Sequence, residues 1–170
     1  MWGGRSAAGN TTTGNTISVN DSNHKKVYGG YTSGTGTSAT GADAGDSHTN
    51  TVNVAGGVYT AIYGGRTDVA GGKAVSNTVN VTQDAQGRIV GGYSASGEAS
   101  NNVVDVTGHT FTGNITGGQG TVTNYNVIRL RNAAVTGTVT GGTAANGKDN
   151  TLAVSYGSGT SSLVGDITNI

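Results

Sequence analysis

Apolar residues fall in short alternating runs along this chain, and one run recurs. It reads Thr16-Ile17-Ser18-Val19, Thr51-Val52-Asn53-Val54, Thr78-Val79-Asn80-Val81, Val103-Val104-Asp105-Val106, Val127-Ile128-Arg129-Leu130 and Thr151-Leu152-Ala153-Val154. The second and fourth positions are always apolar, while the third takes Ser, Asn, Asp, Arg or Ala. A period of two over four residues predicts a β-strand with one face in and one face out. A second strand in each unit carries a single inward residue, Val27, Ile62, Ile89, Ile115, Val139 or Ile167. Polar, Gly-rich turns or a short third strand fill the interval between the two.

Two punctuation marks frame these strands. A Gly-Gly pair recurs at Gly3-Gly4, Gly29-Gly30, Gly64-Gly65, Gly91-Gly92, Gly117-Gly118 and Gly141-Gly142. An Asn opens each alternating run, at Asn15, Asn50, Asn77, Asn102, Asn126 and Asn150. From each Asn to the next Gly-Gly is 14 or 15 residues, so the repeat is structural and not compositional drift. The period is 24–27 residues apart from one longer unit, whose extra residues predict a loop insertion at about 33–48. The first repeat begins in mid-unit and the last ends in mid-unit, which reads as a fragment of a longer array.

A unit of two or three short strands cannot bury its apolar side alone, but stacked units can. The prediction is therefore an all-β, single-domain β-solenoid over 1–170, most simply a right-handed parallel β-helix. Roughly six coils at about 4.8 Å each give a rod on the order of 30 Å long. Stacked Asn side chains at one corner can bond from coil to coil and tolerate left-handed backbone angles. Gly-Gly fits a corner with no room for a Cβ. An antiparallel β-sandwich is the alternative, since short strands with turn signals describe it too.

Composition narrows the class. Of 30 Leu, Ile, Val and Phe residues, 26 are Val or Ile, the types that favour strands. Nine basic residues balance nine acidic ones, so the chain lacks the basic surface that nucleic-acid binding requires. No apolar run approaches the length of a membrane-spanning helix. With no Cys, disulfides, thiolate metal sites and Cys nucleophiles are excluded.

Candidate chemistry is sparse. His24, His48 and His109 fall at unrelated points of the repeat, and no GxSxG string is present. The acids Asp21, Asp43, Asp46, Asp68, Asp84, Glu98, Asp105, Asp149 and Asp166 are scattered over different coil positions, as solvated turn residues would be. No catalytic, cofactor or metal residue is therefore assigned. Gly64-Gly65-Arg66-Thr67-Asp68 comes nearest to a calcium β-roll string but lacks its next Gly; Asp43, Asp46 and His48 read as loop residues rather than ion ligands. Isolated Thr-x-Thr strings, at Thr121 to Thr123 and Thr138 to Thr140, do not make an ice-binding array. The informative feature is aromatic. Before Gly-Gly stand Trp2, Tyr28 and Tyr63, then Val90, Thr116 and Thr140; after it stand Arg5, Tyr31, Arg66 and Tyr93. Alternation with the inward Val or Ile predicts an outward apolar stripe in the first coils. Stacking predicts cation–π contacts of about 0.5–1 kcal/mol each. Such ladders stabilise the rod, and they also offer a binding stripe for a glycan or a protein.

The strings VYGGYTSG, NTVNVAGG, AIYGGRTD and IVGGYSASGEASNNVVDV resemble repeats in the passenger domains of autotransporters, the hemagglutinin-like and adhesin-like surface proteins of Gram-negative bacteria. The likeness covers nearly the whole chain, and its motif is structural rather than catalytic. It implies a β-helix stalk at the extracellular bacterial cell surface, secreted through an outer-membrane translocator outside this segment. It also implies roles in adhesion, self-association or biofilm growth, with a host-cell or matrix receptor, a glycan or another copy as partner. The absence of Cys suits secretion of an unfolded chain. The alternative function is a carbohydrate-active β-helix enzyme or glycan-binding module, which predicts several acids converging on one groove.

Overall fold

The computed structural model describes residues 1–7, 10–20, 25–34, 45–157 and 162–170. Their strands follow a fixed order. The chain enters through β1 (Trp2–Ser6), β2 (Thr12–Thr13) and β3 (Thr16–Val19). The next coils repeat it with β4 (Lys26–Thr32), β5 (Ser47–His48) and β6 (Thr51–Val58), then β7 (Ala61–Thr67), β8 (Ala74–Val75) and β9 (Thr78–Gln86). Later coils run β10 (Ile89–Ser94), β11 (Val103–Thr107), β12 (Thr110–Thr112), then β13 (Ile115–Gln119), β14 (Val127–Arg131), β15 (Ala134–Thr136). The last are β16 (Val139–Gly142), β17 (Thr151–Ser155), β18 (Ser162–Val164) and β19 (Ile167–Thr168).

Like strands stack on like. One sheet, the glycine sheet, orders β1-β4-β7-β10-β13-β16-β19; a second holds the alternating runs and the short third strands; a third joins β2, β5 and β8. Every pairing between these strands is parallel, with Ile62 against Ile89, Ile89 against Ile115 and Val79 against Val104. The molecule is a β-solenoid, and parallel pairing removes the antiparallel sandwich. The interior is filled by the columns the alternation predicts. In one coil Val104, Val106, Phe111 and Ile115 are all fully buried, each worth about 1.5–3 kcal/mol relative to exposure. Phe111 lies on the short third strand, stacked between Ala85 and Val135.

The two punctuation motifs face each other. Asn50, Asn77, Asn102 and Asn126 are fully buried and Asn150 nearly so. Each rung accepts two bonds on its Oδ1, from the backbone N–H and the side-chain Nδ2 of the Asn one coil earlier, at 2.8–3.1 Å. The remaining Nδ2 hydrogen goes to a backbone carbonyl, that of Ala74 for Asn102 and of Ala99 for Asn126. A Cβ on the second glycine of a pair would collide with this amide, Gly65 with Asn77 and Gly92 with Asn102. A Cβ on the first glycine would collide with the carbonyl of its counterpart in the next coil, Gly29 with Gly64 and Gly64 with Gly91.

Three expectations need correction. The glycine pair lies inside a continuous strand, not between strands. Both its positions face inward, so the in–out alternation slips by one residue and the strand bends there. The left-handed backbone belongs to the residue before each ladder Asn, Thr49, Ser76, Asn101, Tyr125 and Asp149, with φ of 53–58°, and not to the Asn. The insertion is shorter than 33–48 at its C-terminal side: Asp46 is buried and Ser47–His48 is a strand of the third sheet, while 35–44 lie outside the described residues.

Candidate binding surface

The slip at Gly-Gly decides what the outer face of the glycine sheet looks like. In a regular strand, residues three apart point to opposite faces. Because two consecutive glycines face inward, Tyr28 and Tyr31 both emerge on the outside, and their rings stack with centroids 5.0 Å apart. Stacking of coils adds the second dimension. Trp2, Tyr28, Tyr63 and Val90 form one column, and Arg5, Tyr31, Arg66 and Tyr93 the next. Tyr28 lies parallel to Tyr63, with centroids 5.2 Å apart and planes at 8°; Tyr63 meets Tyr93 edge-on at 6.0 Å.

Arg66 sits at the centre. Its guanidinium carbon lies 4.4 Å from the Tyr93 ring centroid, 5.3 Å from Tyr63 and 5.8 Å from Tyr31, while Arg5 lies 5.2 Å from Trp2. Asp68 holds Arg66 with a forked pair, Nε to Oδ1 at 3.0 Å and Nη2 to Oδ2 at 3.1 Å, and also accepts the Tyr31 hydroxyl at 2.9 Å. Burial works against the Arg66 charge, but the Asp68 partnership outweighs it and its pKa is raised. Burial likewise raises the Tyr28 pKa, with Arg66 opposing; burial and the bond to Asp68 raise that of Tyr31. Both phenols stay protonated across the neutral range.

The stripe's residues line up in columns, but most of them are covered rather than open. Tyr28 and Tyr63 are 9 % and 5 % exposed and Val90 is fully buried, covered by each other and by Tyr31 and Tyr93. They form an apolar cluster of their own, separate from the solenoid interior. Only Trp2, at 49 %, stands open. Sequence reasoning missed this covering because the slip at Gly-Gly, which brings Tyr31 over Tyr28 within one strand, does not show in a period-two pattern.

Most of the other candidates pair off singly, and Asp46, His48 and Glu98 alone share a cleft. Asp68 is bound to Arg66, Asp105 to Arg131 at 3.2 Å, Asp84 lies 3.4 Å from His109, and Glu98 lies 3.9 Å from Lys73. His48 bonds Thr13 and Thr49, and the Asp46 carboxylate accepts the Lys73 backbone N–H at 2.7 Å. Asp46, His48, Lys73 and Glu98 line a shallow cleft of about 270 Å³ beside the third sheet. A second of about 360 Å³, between Val58, Asp84 and Thr110, opens where β6 bulges against β9. Among the described residues no three His, Asp or Glu groups are placed to hold a metal ion. Asp21, His24 and Asp43 lie outside the described residues. Comparison with family models, with curated proteins and with solved structures gave no match.

Proposed function

We propose that this chain is a stalk segment of an autotransporter-type surface protein, working outside the bacterial cell in adhesion, self-association or biofilm formation. The observation that carries this reading is a rod of stacked coils whose two defining motifs serve the stacking itself, with a patterned aromatic and cationic face on its outside. A stalk needs a rigid repeat that extends by simple addition of coils, and the Asn–Gly interlock supplies one. The carbohydrate-cleaving alternative requires acids facing one another across a groove; Asp46 and Glu98 share the cleft beside the third sheet, but Asp46 accepts the Lys73 backbone N–H and Glu98 lies beside the Lys73 ammonium, while Asp68, Asp84 and Asp105 each lie beside a cation or imidazole. The experiment is display of the chain, fused to an outer-membrane barrel, on non-adherent bacterial cells. Increased attachment to epithelial cells or faster settling by clumping is the expected result. Equal behaviour of displaying and non-displaying cells, with the chain verified at the surface by protease, overturns the reading.

A further inference from the structure

Charge is not spread evenly over the rod, although the chain is neutral. The outer columns of the glycine sheet change character halfway along. In β1, β4, β7 and β10 they hold Trp2, Arg5, Tyr28, Tyr31, Tyr63, Arg66 and Tyr93. Arg88, beside Ala61 in the column that Lys26 begins, reaches across to the Gln119 side chain. In β13, β16 and β19 the same positions hold Thr116, Gln119, Thr140 and Thr168, without ring or cation. The one acid among the N-terminal columns, Asp68, is already consumed by Arg66 and Tyr31. Arg5 and Lys26 are exposed.

We propose that the outer face of the first four strands of the glycine sheet is a docking strip for a linear anionic polysaccharide, carboxylated or sulfated, lying along the rod axis. The proposal rests on the adhesive reading above and names its ligand class. With Arg66 neutralised by Asp68, the cations left are Arg5, Lys26 and half-exposed Arg88, and Lys26 and Arg88 are two strands apart in one column. That places cations at roughly 10 Å intervals along the axis. A linear polysaccharide advances by about one strand spacing per sugar, so an acidic group on at least every second sugar meets this period. Half-exposed Tyr31 and Tyr93 offer apolar edges to the intervening sugar faces, and Trp2 offers an open ring. Stacking and the Asp68 clamp hold the rings in place, so little side-chain order is lost on binding. A nucleic acid fits less well: Tyr28 and Tyr63 are closed against each other at 5.2 Å and leave no slot for a base.

The test is surface plasmon resonance of the purified chain over immobilised heparin, hyaluronan, neutral dextran and single-stranded DNA. Binding to heparin or hyaluronan, absent on dextran and weakened by added salt, is expected. The Arg5→Ser/Lys26→Ser double variant should bind roughly tenfold more weakly, as loss of two charge contacts implies. Arg129→Ser, on the opposite sheet, should bind as the parent does. Circular dichroism confirms that all variants fold, the changed side chains being exposed or half-exposed. The proposal is overturned if neither anionic polysaccharide binds, if Arg129→Ser costs as much as the double variant, or if the DNA binds equally well. Cells that adhere in the display assay while the pure chain ignores both polyanions would remove the ligand and leave the adhesive reading standing.

Discussion

Each inner ladder asparagine, Asn50, Asn77, Asn102 and Asn126, works in both directions, as acceptor for the coil before and donor to the coil after. Among the described residues, no buried side-chain nitrogen or oxygen lacks a partner. Asn102 therefore carries two acceptor bonds from Asn77 and two donor bonds to Asn126. Replacing it by Ala leaves the Asn77 N–H groups unsatisfied in the interior, at about 1–3 kcal/mol for each stranded group. Asn102→Ala should lower stability by roughly 2–5 kcal/mol in urea titrations, and the same change at half-buried Asn15 by less. The residue before the ladder has the opposite character. Tyr125 sits at φ 55° with its side chain 54 % exposed, where a side chain brings strain and little packing. The first coil has Gly14 at this position, with φ 65°. Tyr125→Gly should stabilise the fold by about 0.5–1 kcal/mol, read from the shift of the urea midpoint.

Strands β4, β7 and β10 of the glycine sheet act as units of six or seven residues with a bend built in, and the aromatic cluster depends on that bend. Because burial raises the Tyr28 and Tyr31 pKa values above 10.0, the folded state holds their protons more tightly than the unfolded chain. Stability from the cluster is fully present below about pH 10 and is lost as pH climbs through the raised folded values. Urea midpoints should hold up to about pH 10 and fall above it, and Tyr28→Phe, which keeps the ring and removes its titration, should fall less. The alternating runs were legible in the sequence, since Val and Ile at positions two and four leave only one face to bury. The bend was not, because a period-two pattern assumes that alternation continues through Gly-Gly. The left-handed residue was also hidden: Thr49, Ser76, Asn101, Tyr125 and Asp149 are five different residue types with only a side-chain oxygen in common. A second glycine column was readable and overlooked. Gly87, Gly113, Gly137 and Gly165 each stand two residues before an inward Ile or Val, at φ of 135–145°, with Cβ space closed by the preceding coil.

As a whole the molecule is a stack in which each coil touches only its neighbours, so its stability is a sum of interfaces. Inner coils have two such interfaces and the outermost one. Val79, Val104 and Ile128 are fully buried, whereas Ile167 is 53 % exposed and Val154 40 %. Amide hydrogen exchange should therefore be slowest in β8 to β11 and fastest in β17 to β19 and β1 to β3, grading along the axis. Uniform protection would contradict a linear stack. The same one-coil register sets how the rod answers to force. Ile89 pairs with Ile115, so a coil spends 26 residues to advance the rod by a single strand spacing. Pulled from its ends, a coil that peels away releases roughly 90 Å of extended chain in place of about 5 Å of rod. Its neighbours keep their own interfaces intact meanwhile. A tether built this way lengthens stepwise under load, giving up one coil at a time before the whole array is at risk.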